Sequence, residues 1–172
     1  VAALTERIPL EFYQEATGVR FRIGDVTPVQ ELRTKAIDES VSRVAANQAV
    51  RAKVVAWLRS LTRFGDLVME GRDIGTAVFP GTPHKFYLDA SAEERARRRH
   101  AEIVGQQKNV EVKDVGDALR RRDQIDSTRK VDPLKVAPDA TIVDSTGLSA
   151  EQVVARVVEQ VRRGGLAGPA AG

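Results

Sequence analysis

Cysteine is absent from the 172-residue chain. That removes disulfides, thiolate metal sites and cysteine nucleophiles together, and it fits a reducing cytoplasm. Histidine is nearly absent as well. Only His84 and His100 could serve as imidazole ligands, and no HExxH-type spacing exists, which argues against a catalytic zinc. Aromatic residues make up 5% of the chain, and its formal net charge is only +3. A nucleic-acid module would want stacking aromatics or a larger positive charge, so no nucleic-acid partner is expected. No apolar run approaches the roughly 18 residues of a membrane helix, and no signal-peptide pattern opens the chain. A Ser-His-Asp set and a GxSxG motif are also missing.

What remains is an ordinary globular composition, 42% hydrophobic and 30% charged, at a length that suits one domain. The basic residues are unusual in kind: 20 of the 27 are Arg. Arg presents a planar fork of donors that matches phosphate oxygens. The codon usage of a GC-rich genome explains such a bias equally well, so the positions of the arginines decide.

Residues 9–14 and 19–24 read as two short strands joined by the turn Glu15–Gly18, because Val19, Phe21 and Ile23 alternate with Arg20 and Arg22. Thr27 and Pro28 suit the cap and first position of a helix. Residues 29–63 are mostly helical in pattern, with a break near Asn47-Gln48. Three short apolar runs follow, at 67–69, 85–88 and 141–143. Each ends in an acidic or small polar residue before a loop or helix. This is the pattern of βα units around a buried parallel sheet, whose ligands bind beyond the carboxyl ends of the strands. Ser91 with Glu94 forms a capping box, and Ser149 caps the last helix, with an apolar stripe of Val153, Val154, Val157, Val158 and Val161. From Gly164 the chain reads as a flexible tail, 164–172.

Four constellations could carry chemistry. Glu70-Gly-Arg-Asp-Ile-Gly-Thr76 sets Arg72 and Asp73 at the sheet's carboxyl edge, as a ligand-facing pair or as a surface turn with a salt bridge. Arg95, Arg98 and Arg99 share one helical face, which suits a polyanion or a solvated surface neutralised by Glu93, Glu94 and Glu102. Arg122, Asp126 and Arg129 form a stripe that could hold a sugar hydroxyl and a phosphate, or be a self-satisfied ladder. Ser42 and Arg51 could point to one site only if the helix breaks near Asn47.

Val68-Met-Glu-Gly-Arg-Asp-Ile-Gly-Thr-Ala-Val-Phe-Pro80 and Lys85-Phe-Tyr-Leu-Asp-Ala-Ser-Ala-Glu-Glu-Arg-Ala-Arg-Arg-Arg99 together resemble bacterial cytidylate kinases. So do Arg121-Arg-Asp-Gln-Ile-Asp-Ser-Thr-Arg129 and Val143-Asp-Ser-Thr146. The resemblance runs in order from about residue 18 to 163. It implies an α/β fold, the parallel-sheet core of a P-loop nucleoside-monophosphate kinase, with a small inserted monophosphate-binding subdomain (about 8–45) and a helical lid (about 94–120). It also implies transfer of the γ-phosphoryl of ATP to CMP or dCMP with Mg²⁺, by a cytoplasmic monomer with no membrane partner. Residue by residue, Ser42, Arg51 and Asp73 match positions that recognise cytosine. Arg122 and Asp126 match positions near the ribose, and Arg72 and Arg129 positions on the CMP phosphate. Arg95, Arg98 and Arg99 match lid arginines that approach the transferring phosphoryl. Phosphoryl transfer asks the protein chiefly for positioning, charge neutralisation and exclusion of water, which converging arginines supply.

The sequence departs from the family in one respect. No Gly-x-x-x-x-Gly-Lys-[Ser/Thr] loop occurs, and the chain starts at Val1 with Met69 as its only methionine. We expect an N-terminally truncated sequence lacking a strand–loop–helix unit of about 30 residues, and therefore a poorly stable chain. Two alternatives are a non-catalytic nucleotide-binding relic without an ATP cradle, and a kinase for another pyrimidine monophosphate, UMP.

Overall fold

Alternating Val19, Phe21 and Ile23 do build a strand. In the computed structural model, which describes residues 2–29, 31–104 and 110–164 (side chains at 2, 33, 35, 38 and 39 excepted), β1 (Leu10–Glu15) and β2 (Gly18–Ile23) form an antiparallel hairpin. The turn needs Gly18, whose φ is 139°. Phe12 faces Phe21 with ring centroids 6.4 Å apart, and Arg22 pairs with the opposite Glu11 at 2.7 Å. A single-turn helix, α1 (Ala2–Thr5), precedes the hairpin.

No helix starts at Thr27-Pro28. Ile23 and Val26 instead exchange backbone hydrogen bonds of 2.8 and 3.1 Å around Gly24, and this tight turn sends the chain on extended. A 3₁₀ turn at Glu31–Arg33 comes first, and α2 runs only from Lys35 to Ala45. The break near Asn47 is present. The Asn47 side chain accepts hydrogen bonds from the N–H groups of Ala49 (3.1 Å) and Val50 (3.2 Å) and caps α3 (Gln48–Ser60).

Two of the three apolar runs form a parallel pair: β3 (Phe86–Asp89) beside β4 (Thr141–Asp144), Phe86 opposite Thr141 and Asp89 opposite Asp144. The third does not. Leu67–Met69 is not a strand, and Val68 is fully exposed. A strand exists by its ladder, and no described segment offers one there. The helices after the strands are α4 (Ala92–Val104), α5 (Val112–Thr128) and α6 (Ala150–Arg163). α4 packs on α5 where Ala96 meets Gly116: a Cβ on that glycine would lie 3.4 Å from the Ala96 methyl. Ser91 caps α4 through the Glu94 N–H at 3.1 Å, while the Glu94 carboxylate turns to Arg97 and Arg98. The box at Ser149 is complete, with Gln152 as its reciprocal partner. In the α6 stripe Val153, Val157 and Val161 are half-buried, but Val154 and Val158 are exposed.

The hydrophobic core is small: Val50, Leu61, Val78, Ala96, Val115, Ala137 and Val143. No described helix is long and apolar enough to cross a membrane. All but Gly164 of the expected tail, and residues 105–109 of the expected lid, lie outside the described residues.

Candidate active site

The segment Gly71-Arg72-Asp73 leads into a π-helical turn at Ile74–Val78, in which the Asp73 carbonyl accepts from the N–H groups of Thr76, Ala77 and Val78 at 2.8–3.3 Å. Turns of this wide type recur at functional sites. A Cβ at residue 71 would lie 2.8 Å from Ile74 Cγ1, so the close approach requires glycine. The turn fixes where Arg72 and Asp73 begin, and α3, α5 and the segment after α5 bring their partners.

Asp73 pairs with Arg51 and lies 3.6 Å from Arg129 Nη2. Arg51, 8% exposed, also donates from Nε to Asp132 Oδ2 at 2.8 Å. Burial works against its charge, but the hydrogen bonds to Asp132 and Asp73 and the charge of Asp73 outweigh it and raise its pKa. Asp126, 2% exposed, lies among three guanidinium groups: Arg72 Nε at 3.0 Å, Arg129 Nη1 at 3.7 Å and Arg122 Nε at 3.9 Å. The last two are ion pairs without a hydrogen bond, so the Arg122–Asp126–Arg129 stripe forms a ladder of charges in which Arg122 Nε has no hydrogen-bond partner. Arg129 follows the last residue of α5 and donates to the Asp132 carbonyl at 2.7 Å. Burial, then the neighbouring Arg51 charge, push its pKa down despite the carboxylates nearby.

Four buried side-chain polar atoms among the described residues have no hydrogen-bond partner: Ser42 Oγ, Arg95 Nε, Arg122 Nε and Arg129 Nη2. All four belong to residues that the sequence singled out. Native interiors leave few such groups orphaned, because each costs about 1–3 kcal/mol.

The three arginines of α4 do not converge. Arg95 pairs with Asp123, Arg99 lies 3.0 Å from Glu102, and Arg98 turns to the loop after β4. There Arg98 donates to Ser145 Oγ (3.0 Å), the Ser145 carbonyl (2.6 Å) and the Leu148 carbonyl (3.2 Å), with Nε on Glu94 at 2.7 Å. Residues at i, i+3 and i+4 share a broad face, and here that face spans two neighbouring elements. Arg98 thus ties α4 to the loop, away from the Arg–Asp cluster.

Two members of the cluster were not legible as site residues. Asp123 accepts from Arg72 Nη1 at 2.6 Å on one oxygen and from Arg95 on the other. Its signal was present, since it stands beside Arg122 and three residues before Asp126. Asp132 reaches Arg51 from a left-handed turn, φ 44°, and no spacing announces it.

A family model described as cytidylate kinase matches residues 1–163. The chain belongs to the cytidylate kinase family. Similar family members include the cytidylate kinase of Carboxydothermus hydrogenoformans, 36% identical over 95% of this chain and 73% of its own length. Those of Geobacillus sp. (strain WCH70) and Geobacillus kaustophilus are 46% and 44% identical, each over 80% of this chain and 60% of their own length. The chain therefore spans from three fifths to three quarters of these curated relatives. The two parallel strands with helices between and after them agree with the family's α/β fold.

Proposed function

We propose that this chain is a nucleoside-monophosphate kinase that carries the acceptor site for CMP or dCMP and accepts the γ-phosphoryl of ATP onto it, in the cytoplasm. Ser42, Arg51 and Asp73 read the cytosine, because a donor beside a carboxylate suits its amino group and ring edge. Arg122 and Asp126 hold the ribose, and Arg72 and Arg129 neutralise the acceptor phosphate. Arg95, Arg98 and Arg99 approach the transferring phosphoryl when a lid over residues 94–120 closes, a movement that takes Arg99 from Glu102 and Arg98 from the loop after β4, and residues 8–45 form the monophosphate-binding insert. The observation that carries this reading is the set of four buried, unpartnered polar atoms, on Ser42, Arg95, Arg122 and Arg129. Each is enclosed in this state, so a nucleotide would complete these hydrogen bonds only after the side chains turn toward it.

The resemblance implies Mg²⁺. Among the described residues no group of three or more Asp, Glu or His side chains could hold a metal. The chemistry assigned to this chain is that of its own guanidinium, carboxylate and hydroxyl groups. They position the acceptor oxygen and offset its charge.

Equilibrium titration of the chain with CMP, UMP and AMP tests the proposal. CMP should bind at least tenfold more tightly than the other two. Equal affinities would remove the cytosine assignment, and tighter UMP would make this a UMP site.

A further inference from the structure

Nothing in the family reading gives Asp123 a task, yet it joins three elements. One carboxylate oxygen takes Arg72, from the turn after Gly71; the other takes Arg95, from α4; the residue itself stands on α5. Hydrogen bonds from the two arginines outweigh its partial burial and keep its pKa low, so it stays ionised at neutral pH. Arg72 is gripped by two carboxylates one helical turn apart on α5, Asp123 and Asp126. Two guanidinium groups brought this close repel unless a carboxylate lies between them. Arg95 meanwhile keeps Nε buried and without a partner. Asp123 thus holds one end of Arg95, while its Nε is enclosed and makes no hydrogen bond in this state.

Resting on the nucleotide-site reading above, we propose that Asp123 is a positioning residue: it clamps Arg72 to Arg95 and so sets the spacing of the two cations that receive phosphate oxygens. It touches no substrate. Its effect is confined to the phosphate end of the ligand and is absent at the base.

The full chain, wild type and Asp123→Asn, is titrated with CMP and with cytidine, which lacks the phosphate. Asparagine keeps the shape but removes the charge and turns one acceptor into a donor. The expected result is a loss of tenfold or more in CMP affinity, with cytidine changed by less than twofold. Asp123→Glu keeps the charge one methylene further out and should lose less, with a CMP-to-cytidine ratio between those of the wild type and the Asn variant. It also serves should the Asn variant not fold. The proposal is overturned by unchanged or tighter CMP binding, by parallel losses for CMP and cytidine, or by a wild-type ratio in the Glu variant. Base selectivity is scored separately. Wild-type protein that binds CMP, UMP and AMP equally refutes the cytidylate reading and leaves the phosphate ratio to judge Asp123. A chain that binds no nucleotide overturns both.

Discussion

Asp132 is the only non-glycine residue with positive φ among the described residues, and its carboxylate reaches Arg51. Asn and Asp tolerate the left-handed region; β-branched residues do not, at roughly 1–2 kcal/mol. Asp132→Asn should therefore keep the turn and lose only part of the grip on Arg51, about 1 kcal/mol given the exposure of the pair. Asp132→Val should lose that and the conformational cost as well. Urea denaturation of both variants checks this, and equal losses would mean that the turn carries no strain. Two further substitutions separate base from phosphate. Arg129→Ala should weaken CMP, UMP and AMP alike, and Asp73→Ala should narrow the preference for CMP, each by about 1.5–3 kcal/mol for a lost charged hydrogen bond. Unchanged titrations would remove the role given to that residue. The sequence made these residues legible through motif and order. Asp132 was hidden because a turn, which no helical period describes, brings it to Arg51.

At the scale of elements, the break near Asn47 and the hairpin could be read from local sequence, and local chemistry decides them: a side-chain acceptor at a helix start, a glycine at positive φ. Asn47→Ala should cost about 1 kcal/mol, and Asn47→Gly only a few tenths. Thermal unfolding tests the order, and equal shifts would show that the cap's hydrogen bonds contribute nothing. The absence of a helix start at Thr27 could not be foreseen, since the turn at Ile23–Val26 competes for the same backbone. Helix α4 offers a pH test. Hydrogen bonding by Arg97, then by Arg98, holds Glu94 at about 2 against an ordinary 4.5. A carboxylate lowered by folding adds stability that is fully present above about pH 4.5 and is lost as pH falls toward 2. Wild type should exceed Glu94→Gln in stability by a constant margin above pH 5, and the margin should vanish near pH 2. A margin independent of pH would mean that Glu94 acts through packing and not through charge.

For the whole molecule, the sequence predicted three strands of a parallel sheet, and among the described residues two of them pair. The reason is one of partners, not propensity. Val68, Leu88 and Ile142 have strand-forming neighbours and patterns, yet they are 105%, 57% and 62% exposed, and Val154 on α6 is 60% exposed. Accessible surface totals 12395 Å², against roughly 8,300 Å² for a compact chain of this mass. Among the described residues only seven hydrophobic ones are buried, none larger than leucine. Apolar surface left in water contributes nothing to stability, and the steepness of denaturant unfolding scales with the surface that unfolding exposes. The isolated chain should therefore unfold over a broad urea range, with an m value well below that of compact domains of equal length. It should also bind a hydrophobic dye before unfolding begins. Val78→Ala, at the best-buried apolar position, should cost about 2 kcal/mol, while Val68→Thr should cost almost nothing. A steep transition without dye binding would mean that these faces are covered in solution. A concentration-dependent midpoint would then identify the cover as a second copy of the chain.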